Sequence, residues 1–393
     1  MEKTGIAGNH GEKIRSDCKV SVTLKESGGI SMEMESKVSA LYGEANERLI
    51  QDILDFYDIR NASLTILDSG ALPHVLAARM EAAIKMVSNT RKEYLLPMST
   101  SKFPDSEKER FRLSRLYLPG NNPAMMINAG VHNPHGIILD LEDSVAPEKK
   151  NEARILVRNS LRSIDFYEAE RMVRINQLPL GLEDTAIVAA HFPDLILIPK
   201  CEEVWQIQEV EKVIKSTLET TDQVRSIFLM PIIESALGVE NAYALATASL
   251  NIVAMAIGLE DLTADLGVSR TQEGKESLYA RMRIVNACKA AKIQAIDSVY
   301  SDVGNTEGLM ENVRESRSLG FEGMGCIHPG QIKSIHEGFL PGPEEIEKAE
   351  AIVEAFNEAR KKGLGVVSLG SKMIDAPVVK RAENTLKLAR MYK

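Results

Sequence analysis

IFLMPIIESALGVENAYALATASLNIVAMAIGLED, residues 227–261, holds two apolar runs, IFLMPII (227–233) and IVAMAIG (252–258), with a helical pattern between them and a carboxylate just after each. Runs this continuously apolar belong to strands buried on both faces, and their alternation with helices implies a parallel sheet. The same signature recurs outward in both directions. RLYLP (115–119), GIILDL (136–141), MVRIN (172–176) and LILIP (195–199) precede it; QAIDSVY (294–300) and GMGCI (323–327) follow. Eight such units are the count that closes a (β/α)8 TIM barrel, which at about 250 residues leaves room for a smaller partner domain. An open doubly wound sheet has the same periodicity, but no GxGxxG follows any of the eight runs. The expected fold class is therefore α/β.

Upstream the pattern changes. CKVSVTL (18–24) alternates, a Gly28-Gly29 turn leads into ISMEME (30–35), and SALYGEANERLIQDILDFYDI carries apolar residues at helical spacing. SLTILD reads as another strand, and ALPHVLAARMEAAIKMV as a helix with an early Pro73. Residues 1–90 thus form a small α+β domain. A polar linker follows over 91–110, the barrel over 111–335, and a helical segment over 336–393.

Ordinary globular proportions, 44% hydrophobic and 26% charged, exclude wholesale disorder. A net charge of −9 opposes sustained binding to nucleic acid or an anionic membrane, while a local basic pocket remains allowed. Cys18, Cys201, Cys288 and Cys326 stand far apart with no CxxC pair, which argues against structural zinc and a disulfide framework. The first residues lack the apolar core of a signal peptide, and no run of about 18 apolar residues occurs. The expectation is a cytoplasmic protein.

Chemistry in such a barrel sits at the C-terminal ends of the strands. There the sequence puts Asp140, Glu142 and Asp143, then Arg174 and Asn176, Lys200, Glu234, Glu260-Asp261, Asp297 and Asp302, and His328. One carboxylate at a strand end reads as a helix cap, but several on one rim repel unless a cation compensates. With no Cys/His cluster, a hard cation with oxygen ligands is favoured, and Mg²⁺ fits best. Glu234 and Asp261 lie one β/α unit apart, which sets two carboxylates side by side with positions open for substrate and water. Arg174 adds a fixed cation for a carboxylate or developing enolate oxygen. His328-Pro329 reads as a strand-end turn, Lys200 as either a rim cap or a functional group, and Asp297 and Asp302 as capping or solvated residues. Cys326 and Trp205 read as packed side chains, Trp205 in the core or at an interface.

RLYLPGNNP, IILDLEDSVAPEKKNEAR, VRINQLPLGLED, LILIPK, MPIIESALG, AIGLEDLTADLG, LYARMRIV, QAIDSVYSD, GFEGMGCIHPGQI and GSKMIDAPVV resemble, in order, motifs of the citrate lyase β-subunit and malyl-CoA lyase family of HpcH/HpaI-like aldolase barrels. The resemblance implies a Mg²⁺-dependent carbon–carbon lyase that cleaves a 3-hydroxyacyl thioester of the citryl type. The products would be a 2-oxoacid such as oxaloacetate and an acetyl thioester. An alternative is a malyl-CoA or citramalyl-CoA lyase acting on free CoA thioesters. Carried over residue by residue, Glu234 and Asp261 hold Mg²⁺, Arg174 binds the oxoacid portion, and Asp140, Glu142 and Asp143 surround metal and substrate. Asp375 is the acid/base residue, delivered by a neighbouring subunit's C-terminal segment. The family's Arg-Arg-Ser before the first strand reads Arg112-Leu113-Ser114 here, so Arg112 alone is left as a substrate contact. The implied assembly is a homotrimer or homohexamer, with a citrate lyase α-like transferase subunit as a further partner.

MESKVSALYGEANERLI and ILDSGALPHVLAARMEAA, with a looser GEKIRSD, resemble the citrate lyase γ subunit, an acyl carrier protein. In that carrier a serine bears a phosphoribosyl-dephospho-CoA arm. Aligned on Asp17, Arg15 stands at the serine's place and Ser16 one step along. Either Ser16 is the attachment site with a shifted register, or the domain is an unmodified assembly module.

Overall fold

The computed structural model describes residues 3–98, 105–221, 225–361, 367–369 and 372–390. Residues 99–104 of the expected linker and Gly370-Ser371 of the last motif lie outside them.

The N-terminal unit is a four-stranded sheet, β1 (Thr4–Ala7), β2 (Cys18–Leu24), β3 (Ile30–Ser36) and β4 (Ala62–Asp68), with helices α1 (Ser39–Phe56) and α2 (Pro73–Val87). The order is β1-β2-β4-β3. Thus β2 and β3 do not pair across the Gly28-Gly29 turn. Each flanks β4 instead, β2 antiparallel and β3 parallel. Alternation on β2 buries Cys18, Val20 and Val22 on one face.

Eight parallel strands follow: β5 (Ser114–Pro119), β6 (Gly136–Asp140), β7 (Glu170–Arg174), β8 (Leu195–Ile198), β9 (Phe228–Ile233), β10 (Ala254–Ile257), β11 (Gln294–Ile296) and β12 (Met324–Cys326). They run in sequence order with β12 returning to β5, and a bridge from Asp297 to Met324 brings β11 against β12. This is the (β/α)8 barrel the sequence predicts. Alternation divides its apolar residues in two. Ile138, Met172, Leu195, Leu197, Met230, Ile232, Ala254, Ala256 and Ile296 fill the lumen. Their neighbours Ile137, Leu139, Val173, Ile196, Ile198, Ile233, Met255 and Ile257 pack outward against the helices. Burial on both faces explains why these strands read as unbroken apolar runs.

The two units are locked together. Helix α2 lies between its own sheet and the barrel helix Lys150–Ser163, so even its Arg79 and Glu81 are buried. Arg79 bonds both carboxylate oxygens of Asp17 at 2.9 and 3.0 Å and lies 3.4 Å from Glu152 of the barrel. Arg158 of the barrel grips Glu81 at 3.0 and 2.8 Å. Gly8, at φ +83°, donates its amide to Glu152 where a Cβ would collide with the carbonyl of Cys18. The described part of the expected linker is also tied down. The Tyr94 amide donates to Glu81, and Arg162 donates to the Leu96 carbonyl. It is packed chain rather than a free tether.

Beyond the barrel, helices Pro343–Lys361 and Ala376–Arg390 pack on each other around Ala349, Ile352, Ile374, Val379 and Ala382. The last turns of the second helix, through Lys387 and Leu388, border a cavity at the barrel base beside Lys292 and Phe321. No helix among the described residues is long and apolar enough to cross a membrane.

Candidate active site

The C-terminal ends of β6 to β10 bring one group of side chains together. Asp140 closes β6 and Arg174 closes β7, directly paired in register. The guanidinium bonds both Asp140 oxygens, at 2.6 and 2.8 Å, and lies 2.8 Å from Glu142 and 3.4 Å from Asp143. It also stacks 5.3 Å from the centre of the Tyr117 ring. Burial works against the charge of both partners, yet their mutual bonds hold Asp140 below the usual carboxylate range and Arg174 above its own. The pair stays ionised.

Lys200, two residues past β8 and at φ +46°, sends its ammonium into the same space. Its Nζ lies 3.3 Å from Glu142, 3.8 Å from Asp143 and 3.4 Å from Asp261. Its amide donates to Glu234 at 2.9 Å. Sequence reasoning left Lys200 between rim cap and function; the structure puts it at the centre of the carboxylates. The left-handed turn that aims it there has no marker in the sequence.

Glu234 follows β9 and is 6% exposed. Burial raises its carboxyl to about 8; Arg174 opposes the rise, while Glu142 and Asp261 add to it. Glu142 is raised too, first by burial and then by Asp143, against the pull of Arg174. A Cβ at Gly258 would stand 2.5 Å from a Glu234 oxygen, so this glycine makes the cradle in which the carboxylate lies. The like charges expected to need a cation are therefore compensated in part by the protein itself.

The site fits a divalent cation. Lys200 stands in for positive charge among Glu142, Asp143 and Asp261, and a raised Glu234 is a carboxylate short of a cationic partner. Among the described residues no three His, Cys, Asp or Glu side chains form a cage of their own. Mg²⁺ bound by one or two carboxylates, with water and substrate completing its shell, needs none. Beside the group a cavity of about 470 Å³ runs along Tyr117, Met125, Asp140, Ser144 and His328.

Other expected residues lie elsewhere. Arg112 precedes β5 at the opposite end of the barrel, wholly buried, bonded at 2.7 Å to each oxygen of Glu170 and at 2.8 Å to Gln294. Both partners begin strands, so Arg112 ties the barrel base together and cannot reach a substrate at the rim. Asp297 is buried in an ion pair with Arg281 at 2.7 Å, Glu260 pairs with Arg270, and Asp302 caps an exposed turn. His328 accepts from the Gly330 amide while lining the cavity. Cys326 is buried, its thiol pushed up to about 12. Trp205 is half exposed and donates to Glu203, which takes it out of the core and leaves an interface as its other expected place. Asp375 caps the helix Ala376–Arg390 by accepting from the Val378 amide, and among the described residues nothing joins it to the rim of its own barrel. Ser16 takes φ +56° beside the buried Asp17.

Residues 113–329 match the family model for HpcH/HpaI aldolase/citrate lyase, and residues 3–87 match the ACP model described as malonate decarboxylase delta subunit. The citrate lyase subunit beta of Leuconostoc mesenteroides subsp. cremoris is 38% identical over 284 residues, covering 72% of this chain and 94% of its own. The mitochondrial citramalyl-CoA lyase of Homo sapiens is 35% identical over 294 residues, 72% of this chain and 86% of that one. Among solved structures, the protein CitE from Mycobacterium tuberculosis in complex with magnesium, acetoacetate and coenzyme A superposes with a TM-score of 0.60 at 28% identity. That match covers 72% of this chain and all of the other. With the carboxylates of β9 and β10 at the rim of an eight-stranded barrel and a family model spanning most of that barrel, the chain belongs to the HpcH/HpaI aldolase/citrate lyase family.

Proposed function

We propose that the chain is a Mg²⁺-dependent carbon–carbon lyase cleaving a 3-hydroxyacyl thioester into a 2-oxoacid and an acetyl thioester. One observation carries the reading: Glu234 and Asp261 stand at the ends of neighbouring strands on either side of Lys200, Glu234 bonded to its backbone amide and Asp261 3.4 Å from its ammonium, with Arg174 fixed beside them. Glu234 and Asp261 would hold Mg²⁺, which supplies charge neutralisation at the hydroxyl and carboxylate oxygens of the substrate. Arg174, immobilised by Asp140, needs no reorganisation to face the charge developing on the oxoacid. Cleavage breaks the bond between the hydroxyl-bearing carbon and the α-carbon of the thioester. The hydroxyl gives up its proton to solvent water, the electron pair of the broken bond passes to the thioester as an enolate, and that enolate takes a proton at carbon.

Asp375 is proposed as the acid for that last proton, supplied by a second subunit of a homotrimer or homohexamer. Its placement on a helix whose end lies at the barrel base supports delivery in trans rather than within one chain. Glu142 and Asp143 are proposed to shape the substrate pocket through their contacts to Arg174 and Lys200. Four unpaired, buried cysteines accord with a cytoplasmic location. A citrate lyase α-like transferase subunit belongs with the citryl reading.

Arg15 at the carrier serine's position, and a carrier-like unit fixed by buried ion pairs, favour the second reading, in which the thioester is on free CoA. The experiment is an assay of oxoacid release from citryl-, malyl- and citramalyl-CoA with Mg²⁺. Cleavage of at least one is expected, with Asp375→Asn slowing turnover by roughly 10²–10⁴ while sparing metal binding. Full turnover by Asp375→Asn would remove that residue from the chemistry.

A further inference from the structure

Between the two units lies a second cavity of about 360 Å³, walled by Lys13, Arg15 and Asp17 from the N-terminal unit and by Asn121, Asn122 and Met125 from the loop after β5. It shares Ala124 and Met125 with the cavity that reaches Asp140, so a long ligand could pass from the reaction centre along Met125 into this space. Its polar character is cationic. Lys13 and Arg15 are exposed and make no ion pair among the described residues. Asp17, the one carboxylate in the wall, is neutralised by the bidentate bond from Arg79 and by Asn9 at 3.0 Å. The same Arg79 donates to the Asn121 carbonyl at 3.0 Å, which fixes the wall from the N-terminal unit to that from the barrel. A loop carrying two unpaired cations is thereby held rigidly beside the mouth of the candidate active site.

We infer that this cavity binds the phosphorylated nucleotide end of a free CoA thioester, with Lys13 and Arg15 as its phosphate ligands. The inference rests on the lyase reading for its substrate. It gives the carrier-like unit a binding role in place of covalent carriage. Arginine and lysine suit phosphate by charge and, for arginine, by its forked donors. Asn121 and Asn122 offer donors and acceptors for ribose hydroxyls, and the half-exposed Met125 an apolar edge for the pantetheine chain. The orienting contact lies far from the bond that breaks, so it acts on binding and not on the chemical step.

The test uses the full chain, wild type and the double variant Lys13→Ser/Arg15→Ser. Both side chains are exposed, so the variant retains the fold. Adenosine 3′,5′-bisphosphate, titrated by calorimetry, is expected to bind the wild type and to bind the variant at least tenfold more weakly. With the hydroxyacyl-CoA that is cleaved, the variant is expected to raise KM about tenfold and leave kcat within about twofold. With the matching hydroxyacyl-pantetheine, which lacks the nucleotide, the two proteins should behave alike. Equal nucleotide binding by both proteins, or none by either, overturns the inference. So does a mass increment on Ser16 in protein from the native host, which would fill the cavity with an attached arm. A wild type that cleaves no thioester yet binds the bisphosphate through Lys13 and Arg15 would overturn the lyase reading and leave this site standing.

Discussion

Glu234 carries the electrostatic tension of the site. Its carboxyl lies buried beside Glu142 and Asp261, with a hydrogen bond from the Lys200 amide, and burial raises it to about 8. A proton or a metal can relieve that tension, and the carboxylate's orientation depends on the open face of Gly258. Gly258→Ala would drive a methyl group into Glu234. The expected outcome is a ten- to hundredfold loss of Mg²⁺ affinity, as for groups that orient metal ligands, with little change in the melting temperature of the metal-free protein. Calorimetric titration with Mg²⁺ checks it; an unchanged affinity would mean that the Glu234 carboxylate is not a ligand. Lys200 shows the limit of reading residues singly. A lysine after a proline at a strand end looks like a solvated cap, and only the fold brings Glu142, Asp143 and Asp261 around it. Arg112 shows the reverse case. Motif position suggested substrate, whereas its neighbours in space, Glu170 and Gln294, are both at strand starts.

At the scale of elements, the contact between α2 and the helix Lys150–Ser163 turns two domains into one body. Arg158 and Glu81 are both fully buried and joined by a two-pronged ion pair, with Lys85 2.7 Å from Glu81 and the Tyr94 amide donating to it. Arg158→Ala should cost about 3 kcal/mol in urea unfolding, since it strips a buried carboxylate of its two-pronged partner and leaves it Lys85 and the Tyr94 amide. The double variant Arg158→Met/Glu81→Leu should cost much less than the sum of the single ones. A cost below about 1 kcal/mol for Arg158→Ala would mean that the units are not docked in this way. The eight barrel strands were legible in the sequence because burial on both faces leaves unbroken apolar runs such as LILI and AMAI. Strand β1 was not: TGIA is four residues long, with Ile6 exposed and Gly5 packed against α2. Nor does anything local reveal that β3 pairs parallel to β4, since register across a sheet is set by tertiary packing. The docking was legible only in hindsight, from the arginine and glutamate inside the otherwise apolar α2 sequence.

For the whole molecule, burial of neutral imidazoles sets a pH dependence. Burial depresses His74 to about 4 and His191 to about 3, and His135 and His336 shift the same way. The unfolded chain takes up protons as pH falls below about 6.5 while the folded rings stay neutral. Stability from these groups is therefore complete above pH 6.5 and is lost as pH falls from there towards 4 and 3, by up to roughly 1.4 kcal/mol per pH unit for each ring. Urea midpoints at pH 7.5 and 5 should differ, with the acid value lower; an equal or higher midpoint at pH 5 would contradict the burial. The same scale joins the two units: a carrier-like domain is docked on a barrel helix through buried ion pairs, its basic loop on a cavity that shares Ala124 and Met125 with the one beside Asp140.

If Glu234 and Asp261 hold the cation on which thioester cleavage depends, metal binding and activity must fail together. Wild type, Glu234→Gln and Asp261→Asn are titrated with Mn²⁺ by electron paramagnetic resonance, and oxoacid release from the cleaved hydroxyacyl-CoA is followed in the same samples with Mg²⁺ or chelator. One tightly bound ion per wild-type chain is expected, with binding and activity lost together in either variant and activity lost in chelator. Wild-type cleavage that persists in chelator, or a variant that keeps both the ion and the rate, would contradict it.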